Sequence, residues 1–566
     1  MTCPSLSCYC PRDFLSLSMI GAISGLVGLS SLISIPGQPG LAAPRPDVEL
    51  KIGVVQRFGT QSSDTLVLKA PPGDRLTLQF SNQDKLQTLT TNQVKLEIEM
   101  QPLPLPVLEE RLVLSSHRSF ESAEDSANRW RSRGIEVEIA QPGRWQVWAK
   151  REVYNTPLLR RLLLQSLQAQ GNTLAYLDSK LLKQVPRVAW VAGNFRYRRD
   201  QLDIRAGKGQ IQVKAVTKAP TEHLYVGGLK LQPNAYGTYT LVNRVPLEIY
   251  LRGVVPHEIG YEAPQSAIEA QAVLARTYAL RNLRRFEIDQ YQLCADTQCQ
   301  VYEGLLGTSA RADRAIAITR GQVLAYGNEL VDALYSSTSG GVTAPFSNVW
   351  NGPDRPYLKA VIDAPRPVWD LSRQSLSQEG NFRTFISRRQ GFNEVGWRTF
   401  RWQVESSLTA LTQELKAYLQ QNQRPLSTFK TIQAIAVVER GASGRVQKLA
   451  VTTDLGVVSL EKDEIIQAFE APNSLLFYLE PLRGADKTLQ GYAFVGGGLG
   501  HGVGLSQAGS YNLGRLGWSY RRILSFYFPG TTLQPISPTL TFWHPPDQAG
   551  SASLAQPLPS VSPSIP

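Results

Sequence analysis

Cysteine is scarce, with 5 in 566 residues, and three of these (Cys3, Cys8 and Cys10) precede an N-terminal apolar run. Only Cys294 and Cys299 remain in the rest of the chain. A disulfide-dense scaffold is therefore excluded, and stability must come from packed cores. A chain of this length has room for about two to four of them. Long apolar runs are as rare as cysteine. After the stretch from Phe14 to Ile35, no segment is long and apolar enough to span a bilayer. Also missing is any stripe of Lys and Arg interleaved with aromatics, which argues against nucleic acid as a partner. The net charge of +12 favours instead an anionic cell-envelope polymer or an acidic lipid surface.

What is present at the N-terminus points to export. The Phe14–Ile35 run is followed by Leu41-Ala42-Ala43, which reads as a signal peptide over 1–43 with cleavage near Ala43. An uncleaved membrane anchor is the competing reading, and it is the only route by which the chain would touch a membrane. The expected location is the periplasm or cell envelope. At the other end, residues 545–566 are rich in Pro and Ser and cannot bury a core, so disorder is expected there.

Between these ends the hydropathy pattern changes twice. Residues 44–110 alternate apolar and polar, as strands do, and close on the Pro-rich break "QPLPLPVLEE". Residues 111–180 read strand, helix, strand, strand, helix, a small α+β module whose first helix starts at Ser119 and ends before Gly134. Strands resume near Arg187 and lead into a mixed region, 187–540. The fold class is α+β: a β-rich domain with a buried central helix, preceded by the small module.

The buried helix begins near Ala263, with Pro264 at its first turn, and is apolar on almost every side through Ala279. Just before it stand His257 and Glu258, at what reads as a turn after Val254-Val255. A carboxyl flanked by Val254, Val255 and Ile259 loses hydration, which raises its pKa toward the range of a general acid. The bland reading makes Glu258 a loop carboxylate favoured by the dipole of the following helix. His257 and Glu258 are adjacent, so their side chains should point apart.

Three further stretches could carry chemistry. "GGGLGHGVGLSQAG", Gly496 to Gly509, lacks the Lys-Ser/Thr of a phosphate loop and the acidic partner of a dinucleotide fingerprint. It suits either a polar cleft wall at His501, Ser506 and Gln507 or a tight turn. "YSSTSGGVTAPFSNVWNGPDRPYL", Tyr335 to Leu358, offers hydroxyls, two glycines, Trp350 and Tyr357, a set suited to sugars or to a packed loop. It contains no G-x-S-x-G elbow, so a nucleophilic serine is not indicated. In "LCADTQCQVYEG" two thiols and Asp296 fall short of four zinc donors, leaving a short-loop disulfide or zinc as alternatives.

Taken in order, "VPLEIYLRGVVPHEI", "AIEAQAVLARTYAL", "CADTQCQVYEG", "TRGQVLAYGNELVDALYSSTSGGVT", "VWNGPDRPYLKAVID" and "GHGVGLSQAGSYNLGRLGWSYRRILSFYFPGTTL" resemble the SpoIID/LytB family of bacterial cell-wall proteins over about 207–533. The resemblance implies a lytic transglycosylase that cuts peptidoglycan glycan strands to anhydro-muramic acid ends, with Glu258 as its general acid and base. Ile259 and Gly260 stand where many members have Met and Pro, a change that keeps the carboxyl. It further implies a glycan cleft lined by Tyr335, Ser336, Ser337, Ser339, Gly340, Gly341, His501, Gly502, Ser506 and Gln507. Relatives can bind zinc through the two cysteines and a histidine directly before the second. Here that position is Gln298, so Cys294 and Cys299 are expected as a disulfide or free thiols, with no cofactor. The alternative implied by the LytB branch is a non-catalytic peptidoglycan-binding activator of a cell-wall amidase. The 111–171 segment resembles a SPOR-like domain in its element order.

Overall fold

The computed structural model describes residues 47–544, apart from 84, 217–220 and 423. The expected signal or anchor over 1–43 and the tail over 545–566 lie outside the described residues. Those residues are 24% helix and 37% strand, distributed over several sheets, which makes the fold α+β as expected.

Two large sheets form the frame. In a seven-stranded sheet, Glu49–Phe58 pairs antiparallel with Tyr239–Pro246 and parallel with the short Leu293–Cys294 strand. The other sheet is organised on Gln93–His117, which pairs with Thr65–Lys69, Trp145–Ala149 and Tyr176–Ala192. Leu76, Leu78 and Phe80 show the alternation that the sequence requires, each buried and separated by a wetter residue. These pairings cross the boundaries drawn near 110 and 187, so the N-terminal strands, the small module and the following region share one hydrogen-bonded framework.

The Pro-rich stretch is not a break. The backbone stays extended from Gln93 to His117, and only the register with Tyr176–Ala192 slips, between Pro102 and Val107. Prolines remove ladder donors without preventing extension, so they produce an irregularity in place of a boundary. The module that follows has the elements read from the sequence. Its first helix, Phe120–Ser132, is capped by the Ser119 hydroxyl, which accepts the Ser122 N–H at 3.3 Å. Two strands and the helix Pro157–Ala169 complete it.

The segment around Glu258 differs from expectation. Tyr239–Pro246 runs directly into a helix, Leu247–Ile259, so Val254-Val255 and the His257–Glu258 pair are helical. Tyr250, Leu251, Val254 and Val255 recur at helical spacing and are fully buried, and this packing tolerates Pro256 inside the last turns. Gly260 ends the helix at φ +82°, a conformation that favours glycine. The central helix, Gln265–Arg281, follows with 14 of its 17 residues buried, which places it in the interior as its composition required. Its buried Arg276 is held by Glu248 of the preceding helix through two hydrogen bonds of 2.8 and 2.7 Å, locking the two helices together.

Candidate functional site

Two sequence motifs separated by about 170 residues meet beside Glu258. Tyr335-Ser336 pairs in parallel with Leu505-Ser506, and single bridges join Thr338 to Leu499 and Ala344 to Val503. Ser506 then caps the helix Gln507–Arg515 by accepting the Gly509 N–H at 3.0 Å, which places Gln507 at the helix start facing the end of the Glu258 helix. The Gln507 side-chain amide donates to the backbone carbonyl of Glu258 at 2.9 Å, and the Tyr511 hydroxyl donates to that of Ile259. The otherwise unpaired carbonyls of that helix end are thus satisfied by side chains from the second motif.

A cavity of about 600 Å³ opens at this junction. Glu258, Tyr335, Gln507 and His501 contribute to its wall, with Trp350 and Ser336 alongside. The Glu258 carboxyl accepts the backbone N–H of Val301 at Oε1, 2.8 Å away. Burial raises its pKa to about 6, opposed by the Val301 N–H and by hydrogen bonding from Tyr335 and Gln507. Its place in the last turn of a helix acts in the same direction as burial, because the negative end of the helix dipole disfavours a carboxylate. This reverses the helix-start reading of Glu258. The Tyr335 hydroxyl is itself fixed, accepting from the Gln300 side chain at 3.1 Å, and burial and the adjacent Glu258 hold its pKa well above the ordinary phenol value.

His501 is a fastener. Its Nδ1 accepts the Val503 N–H at 3.0 Å, which leaves the proton of the neutral ring on Nε2, toward the Tyr335 carbonyl. Burial lowers its pKa to about 4, so the ring is neutral at physiological pH. The ring also rests 4.9 Å from that of Trp350. His257 points elsewhere, with Nδ1 at 3.0 Å from the Gly253 carbonyl, so no His–Glu dyad forms.

Ser337 also reaches the cavity, but Ser339, Gly340, Gly341, Gly502 and Ser506 do not. They sit behind the wall, around a buried carboxylate that sequence reasoning missed. Glu394 accepts backbone N–H groups from Ser339, Gly340 (2.9 Å) and Gly341 (3.1 Å), and the Ser506 hydroxyl at 2.5 Å. Positive φ at Gly340 (+72°) and Gly341 (+87°) turns these N–H groups onto one anion. Beside it, Asp363 accepts from Ser339, Asn393 and Tyr527, and burial together with the Glu394 charge pushes its pKa up. A Cβ on Gly502 would come within 2.1 Å of the Arg445 guanidinium, so that glycine marks close packing. Tyr357 is also structural, its hydroxyl donating to Asp332 at 3.3 Å away from the cavity. Ser339, Gly340, Gly341 and Ser506 hold the wall's shape because the buried acids need partners, and Gly502 does so by close packing.

Other lining residues carry no motif. Asp463 contributes a second carboxyl, raised to about 6 by burial, and its Oδ2 has no hydrogen-bond partner. Arg118, Phe120 and Glu121 come from the upstream module. Glu121 and Glu124 pair with Arg285 and Arg284, which follow the central helix, and so dock the module on the cavity's rim.

The family model described as Stage II sporulation protein matches residues 235–326, which hold the Glu258 helix, the central helix and the Val301 loop. A model described as a domain of unknown function (DUF8618) matches 344–504. The Amidase enhancer of Bacillus subtilis is 30% identical over 305 residues, 50% of this chain and 40% of that protein. Stage II sporulation protein D of the same organism is 33% identical over 161 residues, 25% of this chain and 46% of that protein. An uncharacterised protein of Brachyspira hyodysenteriae is 26% identical over 319 residues, 55% of this chain and 72% of that protein. Residues 235–326 are a SpoIID-type domain. Beyond that match, the chain spans less than half of the two named Bacillus subtilis relatives.

The zinc that the resemblance associates with the two cysteines does not fit here. Cys294 and Cys299 are joined in a disulfide, Gln298 precedes the second, and among the described residues no three His, Cys, Asp or Glu side chains are grouped to hold a metal. No helix among the described residues is long and apolar enough to cross a membrane.

Proposed function

We propose that this chain is an exported, cell-envelope lytic transglycosylase acting on peptidoglycan glycan strands, with Glu258 as its general acid and base. The observation that carries the reading is the state of Glu258: a carboxyl on the cavity wall, held by the Val301 N–H and raised by burial to a pKa of about 6. Protonated, it donates to the glycosidic oxygen as the bond to the muramic acid anomeric carbon breaks. As carboxylate, it then takes the proton from the primary hydroxyl of that same sugar, whose oxygen bonds to the anomeric carbon. The intramolecular nucleophile supplies proximity that a hydrolase obtains from a second carboxylate and a water. Val301 N–H and Tyr335 stabilise the carboxylate between the two transfers, and Trp350 offers an aromatic face to a sugar ring. The match of 235–326 to the Stage II sporulation protein model supports a cell-wall role, and the export expected of the N-terminus agrees with it.

The second reading is a glycan-binding protein that stimulates a cell-wall amidase without cutting. It is favoured by the similarity of 50% of this chain to the Amidase enhancer of Bacillus subtilis. The two readings separate on products. Purified protein is incubated with intact and with peptide-free glycan strands, and the released ends are analysed by mass. Anhydro ends, one water lighter than hydrolytic ends, support the transglycosylase; binding to strands with no released product supports the enhancer.

A further inference from the structure

The arginines near the cavity are almost all committed. Arg276 belongs to Glu248, Arg284 to Glu124, Arg285 to Glu121 and Arg281 to Glu329 and Asp332. Arg118 differs: among the described residues it has no hydrogen-bond or ion-pair partner, and its side chain is exposed where it lines the cavity. It also lines a neighbouring cavity of about 270 Å³, whose wall includes Arg144, Gln298 and Ile466. Gln298 and Ile466 face both cavities, so the smaller one extends the larger at its module end.

Arg118 and Arg144 are held together by the fold. Arg118 lies between the Gln93–His117 strand and the Phe120–Ser132 helix, and Arg144 directly precedes the strand Trp145–Ala149 that pairs with His117. Arg144 is oriented by donating to the Asn422 side chain at 2.5 Å and has no acidic partner among the described residues. The cavity walls partly desolvate Arg118 and lower its pKa although solvent reaches its side chain, the Asp463 charge opposes that shift, and repulsion from Arg144 adds to it. Asp463, whose charge reaches Arg118, forms no ion pair with either arginine among the described residues, so the two like charges form a place where a further anion is stabilised.

We propose that Arg118 and Arg144 form a carboxylate-binding subsite at the module end of the catalytic cavity, making the upstream module part of the substrate site. The proposal rests on the glycan-cleaving reading for its substrate, because glycan strands carry carboxylates at regular intervals. These are the lactyl carboxylate of a peptide-free muramic acid, or the carboxylates of a stem peptide. The guanidinium of Arg118 would receive either one as a charge-assisted hydrogen bond, with Arg144 adding attraction across the smaller cavity.

The test measures binding, using the full-length Glu258→Gln protein so that strands stay intact. Three ligands are compared: peptide-free strands, peptide-bearing strands, and peptide-free strands whose carboxylates have been amidated. Adding Arg118→Ala should weaken a carboxylate-bearing ligand on the order of tenfold at low salt. The amidated strands should bind both proteins alike, and Arg144→Ala should act in the same direction as Arg118→Ala. Loss on peptide-free strands assigns the lactyl carboxylate, and loss confined to peptide-bearing strands assigns the stem peptide. Equal binding of all three ligands with and without Arg118, an equal loss on amidated strands, or no strand binding by the parent protein overturns the subsite. If wild type cuts nothing while the Arg118-dependent preference persists, the subsite stands and the transglycosylase reading falls.

Discussion

The backbone N–H of Val301 donates to the Glu258 carboxylate across 2.8 Å, and Val301 lies two residues beyond Cys299, whose disulfide to Cys294 closes the loop just before it. Cys294 in turn sits in a strand paired with Glu49–Phe58. The proposed acid is therefore tuned by a segment that is fastened to the edge of the seven-stranded sheet.

Removing that fastening should loosen the loop and release Val301. Cys299→Ser is expected to lower stability by about 2 kcal/mol, the scale of a short closed loop. It should also raise the pKa of Glu258, because the lost N–H favoured the charged form. Denaturant unfolding checks the first effect, and the basic limb of the pH–rate profile, moving upward, checks the second. Unchanged profiles in the variant and in reductant-treated protein would separate the loop from the acid.

The pH dependence has a defined sign. Glu258 has a folded pKa of about 6 against an ordinary value of 4.5, so the folded state binds the proton more tightly. Below pH 4.5 both states are protonated and no penalty exists. As pH rises toward 6 the folded state loses stability by up to about 2 kcal/mol, and the loss persists at neutral pH. Glu258→Gln should therefore be more stable than wild type at pH 7 and equal to it at pH 4, as read by thermal unfolding at both. Cleavage that needs the protonated acid should decline above about pH 6 in the wild type, and Tyr335→Phe should shift that decline upward.

Glu248 and Arg276 give a stability prediction independent of function. Arg276 is fully buried and Glu248 nearly so. Glu248→Ala leaves the guanidinium without its counter-charge, at an expected loss of about 3–5 kcal/mol in denaturant unfolding. A small loss would mean that Arg276 is hydrated or re-paired.

Asp463 tests whether one carboxyl suffices. It lines the same cavity with a pKa also raised to about 6. The single-acid mechanism expects Asp463→Asn to keep cleavage within about tenfold of wild type, and to keep anhydro ends. Loss of cleavage comparable to that in a Glu258 variant would indicate a two-carboxylate reaction.

Much of the site was legible because it rests on local pattern. The all-round apolar composition from Ala267 to Ala279 leaves no alternative to an interior helix, and the flanking valines foretell a desolvated Glu258. The helix around Glu258 was not legible, because Pro256 reads as a boundary and only burial of Tyr250, Leu251, Val254 and Val255 overrides it. The glycine and serine motif was read as lining a glycan cleft, but Ser339, Gly340, Gly341 and Ser506 instead hold Glu394, which is far along the chain and unmarked by any motif. Arg118 and Asp463 reach the cavity through tertiary packing of the upstream module and the 463–468 helix, a relation that no periodicity encodes.

The central claim is that Glu258 moves both protons. Its most direct measurement is the release of anhydro-ended fragments from glycan strands by wild type and by Glu258→Gln at pH 5.5, with folding of both confirmed by thermal unfolding. The account predicts anhydro ends from wild type and a rate at least about a hundredfold lower in the variant. Undiminished release by a folded Glu258→Gln protein would contradict it.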